Sequence, residues 1–511
     1  MRHQIPLLLG VLLGMAGCNR NHNDIVPETI IHENPATFTA VGQIDIGDKG
    51  AAEISAYDPV TKRLFIVNNS AGVVNENAAN LIDVVDISNP AAPSKIHSIS
   101  LEPYGGAVNS LSVSAGNVAA AIQATVKTDP GKVVVFNTLD YKEIKSVVVG
   151  ALPDMITYTP DGRYILTANE GEPTTADYAV DPEGSISVIA VKENYAVTTL
   201  NFAAFADKRP ALEAGGFRIF GKSNDFVKDI EPEYITVSPD SKTAWITLQE
   251  NNGIAKMDIA SKTITDIFPL GFKDYNAAGN EIDGSDEDGK IELKNWPVKG
   301  VYMPDGIAVI ETGGIPYLFT ANEGDAREWG DFVEAVRIKD IKLDATVFPS
   351  AAALQAKTVL GRLNITKFLG DKDGDGDYDE LYAFGARSFS VWNGLTGKQV
   401  YDSKNELDQK VIEAGSYDDK RSDDKSIEPE GIAIGKIGKT PVAFVGMERV
   451  DAVAVYDISN PQQPKFLQLL KVGDAPEGVM IIAAKDSPTK RSLLVVSSED
   501  DGMIKLFSPA S

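Results

Sequence analysis

Residues 428–464 read EPEGIAIGKIGKTPVAFVGMERVDAVAVYDISNPQQP. An acidic turn, Glu428-Pro429-Glu430, opens three apolar runs with period-two alternation. Each run is about one strand long, and the breaks hold Gly, Lys, Asp and Pro, the residues that punctuate strands. The layout repeats along the chain. Glu53 precedes RLFIVNN, Pro153-Asp154 precedes RYILTANEGE, and Pro232-Glu233 precedes TAWITLQENN. Pro304-Asp305 precedes PYLFTANEGD, Pro429-Glu430 precedes VAFVGMERVD, and Pro476-Glu477 precedes LLVVSSEDDG. A weaker copy starts near Gly105-Gly106, and a degenerate one spans residues 381–403.

Periodic all-β units of this length bury both sheet faces by stacking radially, as the blades of a β-propeller do. The spacing predicts an all-β propeller of seven or eight blades, depending on whether residues 381–403 form a blade or an insertion. Residues 37–47 read as an outer strand with no blade before it, and the last unit lacks its outer strand. Pairing the two would close the ring. Insertions interrupt the repeat at 203–228, 271–300, 331–373 and 404–425. Short helices are expected at ADKRPALEA and SAAALQAK, and the last insert is charged and expected to be exposed.

Composition excludes several functions. The formal net charge of -25 disfavours nucleic acid, whose phosphates want a basic surface, and favours divalent cations or basic partners. The four histidines are His3, His22, His32 and His97, three of them before the repeats, so zinc sites and His-based triads are not expected. No phosphate-cradling Gly loop followed by Lys-Ser/Thr occurs. The single cysteine, Cys18, follows a basic start, an apolar stretch and Ala16-Gly17. This resembles a bacterial lipoprotein signal. It divides the chain into a signal at 1–18 with lipidation at Cys18, a tether at 19–36 and a propeller domain at 37–511. The protein would then touch a membrane only through its lipid, at the bacterial cell envelope.

Two constellations carry chemistry. Neighbouring strands are antiparallel, so first strands start and second strands end on one face of the disc. That gathers Asp154, Glu170, Glu233, Asp305, Glu323, Asp325, Glu430 and Glu448 at one channel mouth, with Glu53, Glu250, Glu477 and Glu499. So dense a set of carboxylates needs cations or arginines, for which Arg327, Arg387 and Arg449 are candidates. The second is Asp371, Asp373, Asp375, Asp377, Asp379 and Glu380, with Gly374 and Gly376 between: alternating oxygens wound around a hard cation, calcium. The twelfth position is Tyr382, so it is not an EF-hand. Asp283, Asp286 and Asp288 form a poorer set.

The motifs LTANEGEPTTADYAVDPEGSISVI, DIEPEYITVSPD, FTANEGDAREWGDFVEAVRI, AFGARSFSVWNG and VGMERVDAVAVYDISNP together resemble the choice-of-anchor I family. The two Asp-Ile-Ser-Asn-Pro copies, at Asp86 and Asp457, resemble LVIVD-type propeller repeats. The first resemblance implies a propeller, surface attachment, a likeness to mesenchyme-specific cell-surface glycoproteins and calcium handling. A lipid-anchored calcium-binding module is therefore expected. The alternative is a metal-dependent alkaline phosphatase or phosphoesterase at the propeller mouth, in which arginines clamp a phosphorylated ligand.

Overall fold

The computed structural model describes residues 32–70, 80–174 and 176–510. Cys18 and the tether up to residue 31 lie outside them. Seven four-stranded antiparallel sheets follow one another along the chain. Their innermost strands are Ala51–Asp58, Val108–Ser114, Pro153–Tyr158, Pro232–Val237, Ile307–Thr312, Pro429–Ile437 and Pro476–Ile482. Consecutive innermost strands are neighbours all the way round, and Ala51–Asp58 lies against both Val108–Ser114 and Pro476–Ile482. Alternation along each strand makes this possible, because both faces of a blade carry apolar residues for the blades beside it. Leu64 and Ile66 of blade one, for example, share a core with Leu493 and Val495 of blade seven.

The ring is latched as the chain ends suggested. Phe38–Asp45 pairs antiparallel with Met503–Pro509 as the outer strand of blade seven. Phe38 is buried edge-on against Phe444 of blade six, ring centroids 5.3 Å apart. Gln468 of blade six both donates to and accepts from the Phe38 backbone at 2.9 Å. The end of the expected tether is docked as well: Glu33 accepts from the Ser492 amide at 2.8 Å and its hydroxyl at 2.7 Å. Phe38→Ala is expected to destabilise the ring by about 3–5 kcal/mol, the cost of emptying a buried aromatic site. Urea denaturation of the two proteins would read the difference.

The blade count is seven because residues 381–403 are neither a blade nor a pure insertion. Ser388–Asn393 and Gln399–Asp402 are the two outer strands of blade five, whose inner strands are Ile307–Thr312 and Ile315–Asn322. Residues 323–387 are inserted within that blade. Part of them joins residues from the 271–300 insert in a five-stranded sheet built from Phe272–Asp274, Lys299–Val301, Tyr382–Ala383, Asn364–Thr366 and Ala335–Arg337. Its core contains Tyr275, Val298, Ile338, Leu360 and Ile365. Both expected short helices form, as Arg209–Ala214 and Ala351–Leu354. The 404–425 insert departs from expectation. Its helix Glu406–Ala414 buries Leu407 and Val411, and Ser422, Asp423 and Lys425 are also buried. Lys404, Glu413, Asp418 and Lys420 are exposed as expected, but Arg421, Asp424 and Lys425 are packed at the ring mouth and paired.

Candidate functional site: a carboxylate-lined propeller mouth

The repeated acidic turn has a defined geometry. Pairing of the first and second strands shifts register across Glu53, Asn109, Asp154, Glu233, Glu430 and Glu477, so each lies in a bulge at strand entry. A bulged residue is released from the ladder and can aim its side chain away from the sheet. Four of the residues just before the entry prolines, Leu152, Met303, Glu428 and Ala475, have φ between 45° and 55°. That is a costly conformation for non-glycine residues, held here by the surrounding structure. Backbone bonds bind the strained carbonyls to the end of the second strand: Glu170 N to Leu152 O at 2.8 Å, Glu448 N to Glu428 O at 3.0 Å, and Glu499 N to Ala475 O at 2.9 Å.

These turns converge. A cavity of about 290 Å³ on the ring axis is lined by Asp154, Glu170, Glu233, Asp305, Glu323, Asp325, Glu430 and Glu477, together with Glu172 and Glu250. Among the described residues, no lysine or arginine lines it. Blade two contributes Asn109 and Ser110 and blade one Ile54, Glu53 lining neither cavity, where the other five blades bring acids. Asp305, Glu323 and Glu430 each offer an oxygen within 4.8 Å of the other two, the kind of grouping that can hold a metal ion. Glu250 is 6% exposed and its Oε2 has no partner, and Glu430 Oε2 is likewise buried without one.

Burial and crowding disfavour the charged forms. Burial pushes Asp154 up to about 6 and Glu250 up to about 7. Burial and then the Glu499 charge push Glu53 up to about 8. Glu170, Glu233, Asp305, Glu430 and Glu477 lie well above the ordinary carboxylate range, through burial first and neighbouring acids second.

A second cavity of about 420 Å³ adjoins the first, sharing Glu172, Glu250 and Asp325. Arg327, Arg421, Lys425, Arg449 and Lys127 line it. Their charges are committed. Arg327 is fully buried, its Nη1 2.6 Å from Asp229 Oδ1 and its Nη2 2.7 Å from Glu231 Oε2, with the Phe220 ring 4.6 Å away. Lys127 pairs with Glu172, and Arg449 pairs with Glu428 and Glu448. Burial opposes ionisation of Glu428, but Lys425, Arg421 and Arg449 hold it below its ordinary value. Glu448 lines neither cavity, although it stands within 4.8 Å of Glu323 and Glu428.

Arg387 is not at the mouth. Its guanidinium donates to the carbonyls of Asp283, Ser422 and Asp424, each at 2.8 Å, and ties two inserts together. Sequence reasoning missed Lys127, Glu172, Gln249, Arg421 and Lys425. Glu172 was detectable as the last acid of the NEGE run, and Gln249 as the neighbour of Glu250 at a second-strand end; Lys127 comes from the loop after the second strand of blade two, and Arg421 and Lys425 reach the mouth because an insert folds back over it.

The Asp371 loop is wound as its glycines suggest, with Gly374 at φ 78° and Gly376 at φ 91°. Asp371, Asp373 and Asp379 bring oxygens within 4.8 Å of one another. Asp371 accepts from the amides of Gly374 at 2.7 Å and Gly376 at 3.0 Å, and Asp375 from Asp377 at 3.0 Å. Asp377 turns away to Lys342 at 2.7 Å and forms a separate group with Asp344 and Asp379. Glu380 is committed to Lys299 at 2.6 Å and Lys372 at 2.9 Å; despite partial burial these hold it down to about 2. Asp283 accepts backbone amides and Asp286 pairs with Arg362, so they do not gather with Asp288.

A seven-bladed propeller with an acidic mouth is thus the class of protein defined here. The family model of the choice-of-anchor I domain matches residues 53–461, and the chain belongs to that family. It is 26% identical over 189 residues to Gigasin-3a of Magallana gigas, an alignment covering 30% of this chain and 66% of that protein. It is 25% identical over 293 residues to the mesenchyme-specific cell surface glycoprotein of Strongylocentrotus purpuratus, covering 48% of this chain and 37% of the relative. The chain thus spans less than two thirds of the length of these relatives. Among solved structures, the WD40 repeats of RRP9 superpose with a TM-score of 0.50 at 8% identity, over 94% of this chain and 99% of that one. U3-55K gives the same score and identity over 94% and 100%. These likenesses show the fold alone.

Proposed function

We propose that this protein is a surface-associated binding module whose propeller mouth holds a divalent cation, calcium, through Asp305, Glu323 and Glu430. The observation that carries the reading is the cavity lined by ten carboxylates and, among the described residues, no basic side chain, with buried oxygens of Glu250 and Glu430 left without partners. Unpaired buried carboxylates are costly, and a hard cation with oxygen preference removes that cost. The exposed Asp371 loop takes a second calcium ion in this account, with Asp371, Asp373 and Asp379 as its side-chain ligands. Membership of the choice-of-anchor I family supports a location at the bacterial surface or cell envelope. Lipidation at Cys18 would supply the attachment.

The geometry favours binding over phosphoester hydrolysis. A phosphate clamp needs guanidinium groups free to meet the ligand. Arg327 is saturated by Asp229 and Glu231, and Arg387 by three carbonyls.

Calorimetric titration with calcium tests the assignment. Asp305→Asn with Glu430→Gln is expected to lower mouth affinity by at least about 100-fold, because two anionic ligands are lost. Asp371→Asn with Asp373→Asn is expected to remove only the other ion. Equal affinities in all three proteins would refute the mouth assignment. A phosphomonoester assay with calcium is expected to show no turnover.

A further inference from the structure

One side of the mouth already contains a cation that belongs to the chain. Lys425 is 8% exposed, and its Nζ lies 3.0 Å from Glu323 Oε1, 3.2 Å from Asp325 Oδ1 and 3.1 Å from Glu428 Oε2. Glu323, Glu428 and Glu448 each offer an oxygen within 4.8 Å of the other two. Oxygens around one calcium ion, at about 2.3–2.6 Å from it, are spaced no wider than roughly 5 Å. The ammonium therefore touches two members of a trio with the spacing of a metal site. Its loop is bolted down: Arg387 holds the carbonyls of Ser422 and Asp424, and Asp423 pairs with Arg337 at 2.7 Å and Arg362 at 2.9 Å. The trio on the other side, Asp305, Glu323 and Glu430, shares Glu323 but has no lysine or arginine on Asp305 or Glu430 among the described residues. The buried, unpartnered Glu250 Oε2 belongs to a residue that lines both cavities, and Glu430 of the open trio also has a buried oxygen without a partner.

We propose that Lys425 is a built-in cation that sets how many divalent ions the mouth accepts. It keeps the Glu323, Glu428 and Glu448 position closed and leaves the Asp305, Glu323 and Glu430 position open. This rests on the cation-binding reading above. Charge counting supports it. Without Lys425, the carboxylates of Glu323, Asp325, Glu428, Glu448 and Asp424 would face only Arg421 and Arg449, leaving three negative charges, enough for one divalent ion. Lys425 is also a positioning residue. It holds one oxygen of Glu323 while Gln249 Nε2 holds the other at 2.9 Å, fixing the carboxylate that the open site shares.

The test is the number of calcium ions bound per chain, by equilibrium dialysis. The parent is the full chain carrying Asp371→Asn and Asp373→Asn, so that the loop does not contribute. Lys425→Arg is expected to bind the same number of ions as the parent. Lys425→Met and Lys425→Gln are expected to gain one ion, and adding Glu448→Gln is expected to remove the gain. A merely structural lysine would give unchanged or lowered counts, and either result in both neutral variants overturns the proposal. If Lys425→Met fails to fold, Lys425→Gln, which keeps a donor to Glu323, carries the comparison. A parent that binds no calcium sensitive to Asp305→Asn overturns the cation-binding reading and this proposal together.

Discussion

In the absence of divalent cations, the protein is expected to lose stability steadily as pH rises from about 5 to 8, and calcium to restore it. The sign follows from the mouth. Asp154 and Glu250 are raised to about 6 and 7, and Glu53 to about 8. A carboxyl group whose folded value is raised binds more protons folded than unfolded between its two values. Its neutral form is compatible with the fold below the ordinary carboxylate range, and stability drains away as pH rises through the folded value. Moving one buried carboxyl by two pH decades corresponds to roughly 3 kcal/mol. Several such groups acting together make this among the largest effects expected of the molecule. Calcium at saturating concentration favours the ionised mouth, so at pH 8 it is expected to raise the unfolding midpoint by roughly 5 °C. At pH 5, where many of these acids stay protonated, the same addition is expected to do much less. Thermal melts at both pH values, with calcium or with chelator, would separate the cases. A melt that is stabilised by rising pH without calcium would contradict the account.

The second large effect is expected at Arg327. Arg327→Met leaves the carboxylates of Asp229 and Glu231 buried without their cation, beside the Phe220 and Trp329 rings that lie 4.6 and 5.3 Å from the guanidinium. Breaking a buried pair from one side costs about 3–5 kcal/mol, mostly because the remaining charge is uncompensated. Here two carboxylates are stranded, so the loss is expected at or above the top of that range. Adding Asp229→Asn and Glu231→Gln to Arg327→Met is expected to recover most of it, since no charge then remains buried. Urea unfolding of the single and triple variants would measure both numbers. If Arg327 were instead a ligand clamp, the single variant would fold with near-parental stability and lose only binding.

That contrast also shows how far the sequence could be read. Alternating apolar runs behind each proline and acid made the blades visible, and the unpaired strand at 37–47 anticipated the latch. The same turns pointed to the carboxylate mouth, because strand entry on a fixed face of the disc follows from antiparallel pairing alone. Blade five was obscured because residues 323–387 separate its second and third strands, and a period cannot be counted across such a gap. Arg387 was misplaced for a related reason. It stands in a motif beside mouth residues, but its partners, the carbonyls of Asp283, Ser422 and Asp424, come from inserts with no periodic pattern. Arg327 does reach the adjoining cavity, but its commitment to Asp229 and Glu231 was not legible. Lys425 was illegible likewise: a charged stretch reads as solvated until its neighbours are known. In the Asp371 loop, spacing identified the winding but not that Glu380 would be taken by Lys299 and Lys372.

The central claim is that acids carried by separate blades form one cation site on the ring axis. Crystals of the protein grown with calcium and soaked in manganese would test it through the anomalous signal. The account predicts a peak inside the mouth, in contact with oxygens of Asp305, Glu323 and Glu430, at calcium–oxygen distances of about 2.3–2.6 Å in the unsoaked crystal. A mouth containing only water, with signal confined to the Asp371 loop, would contradict it.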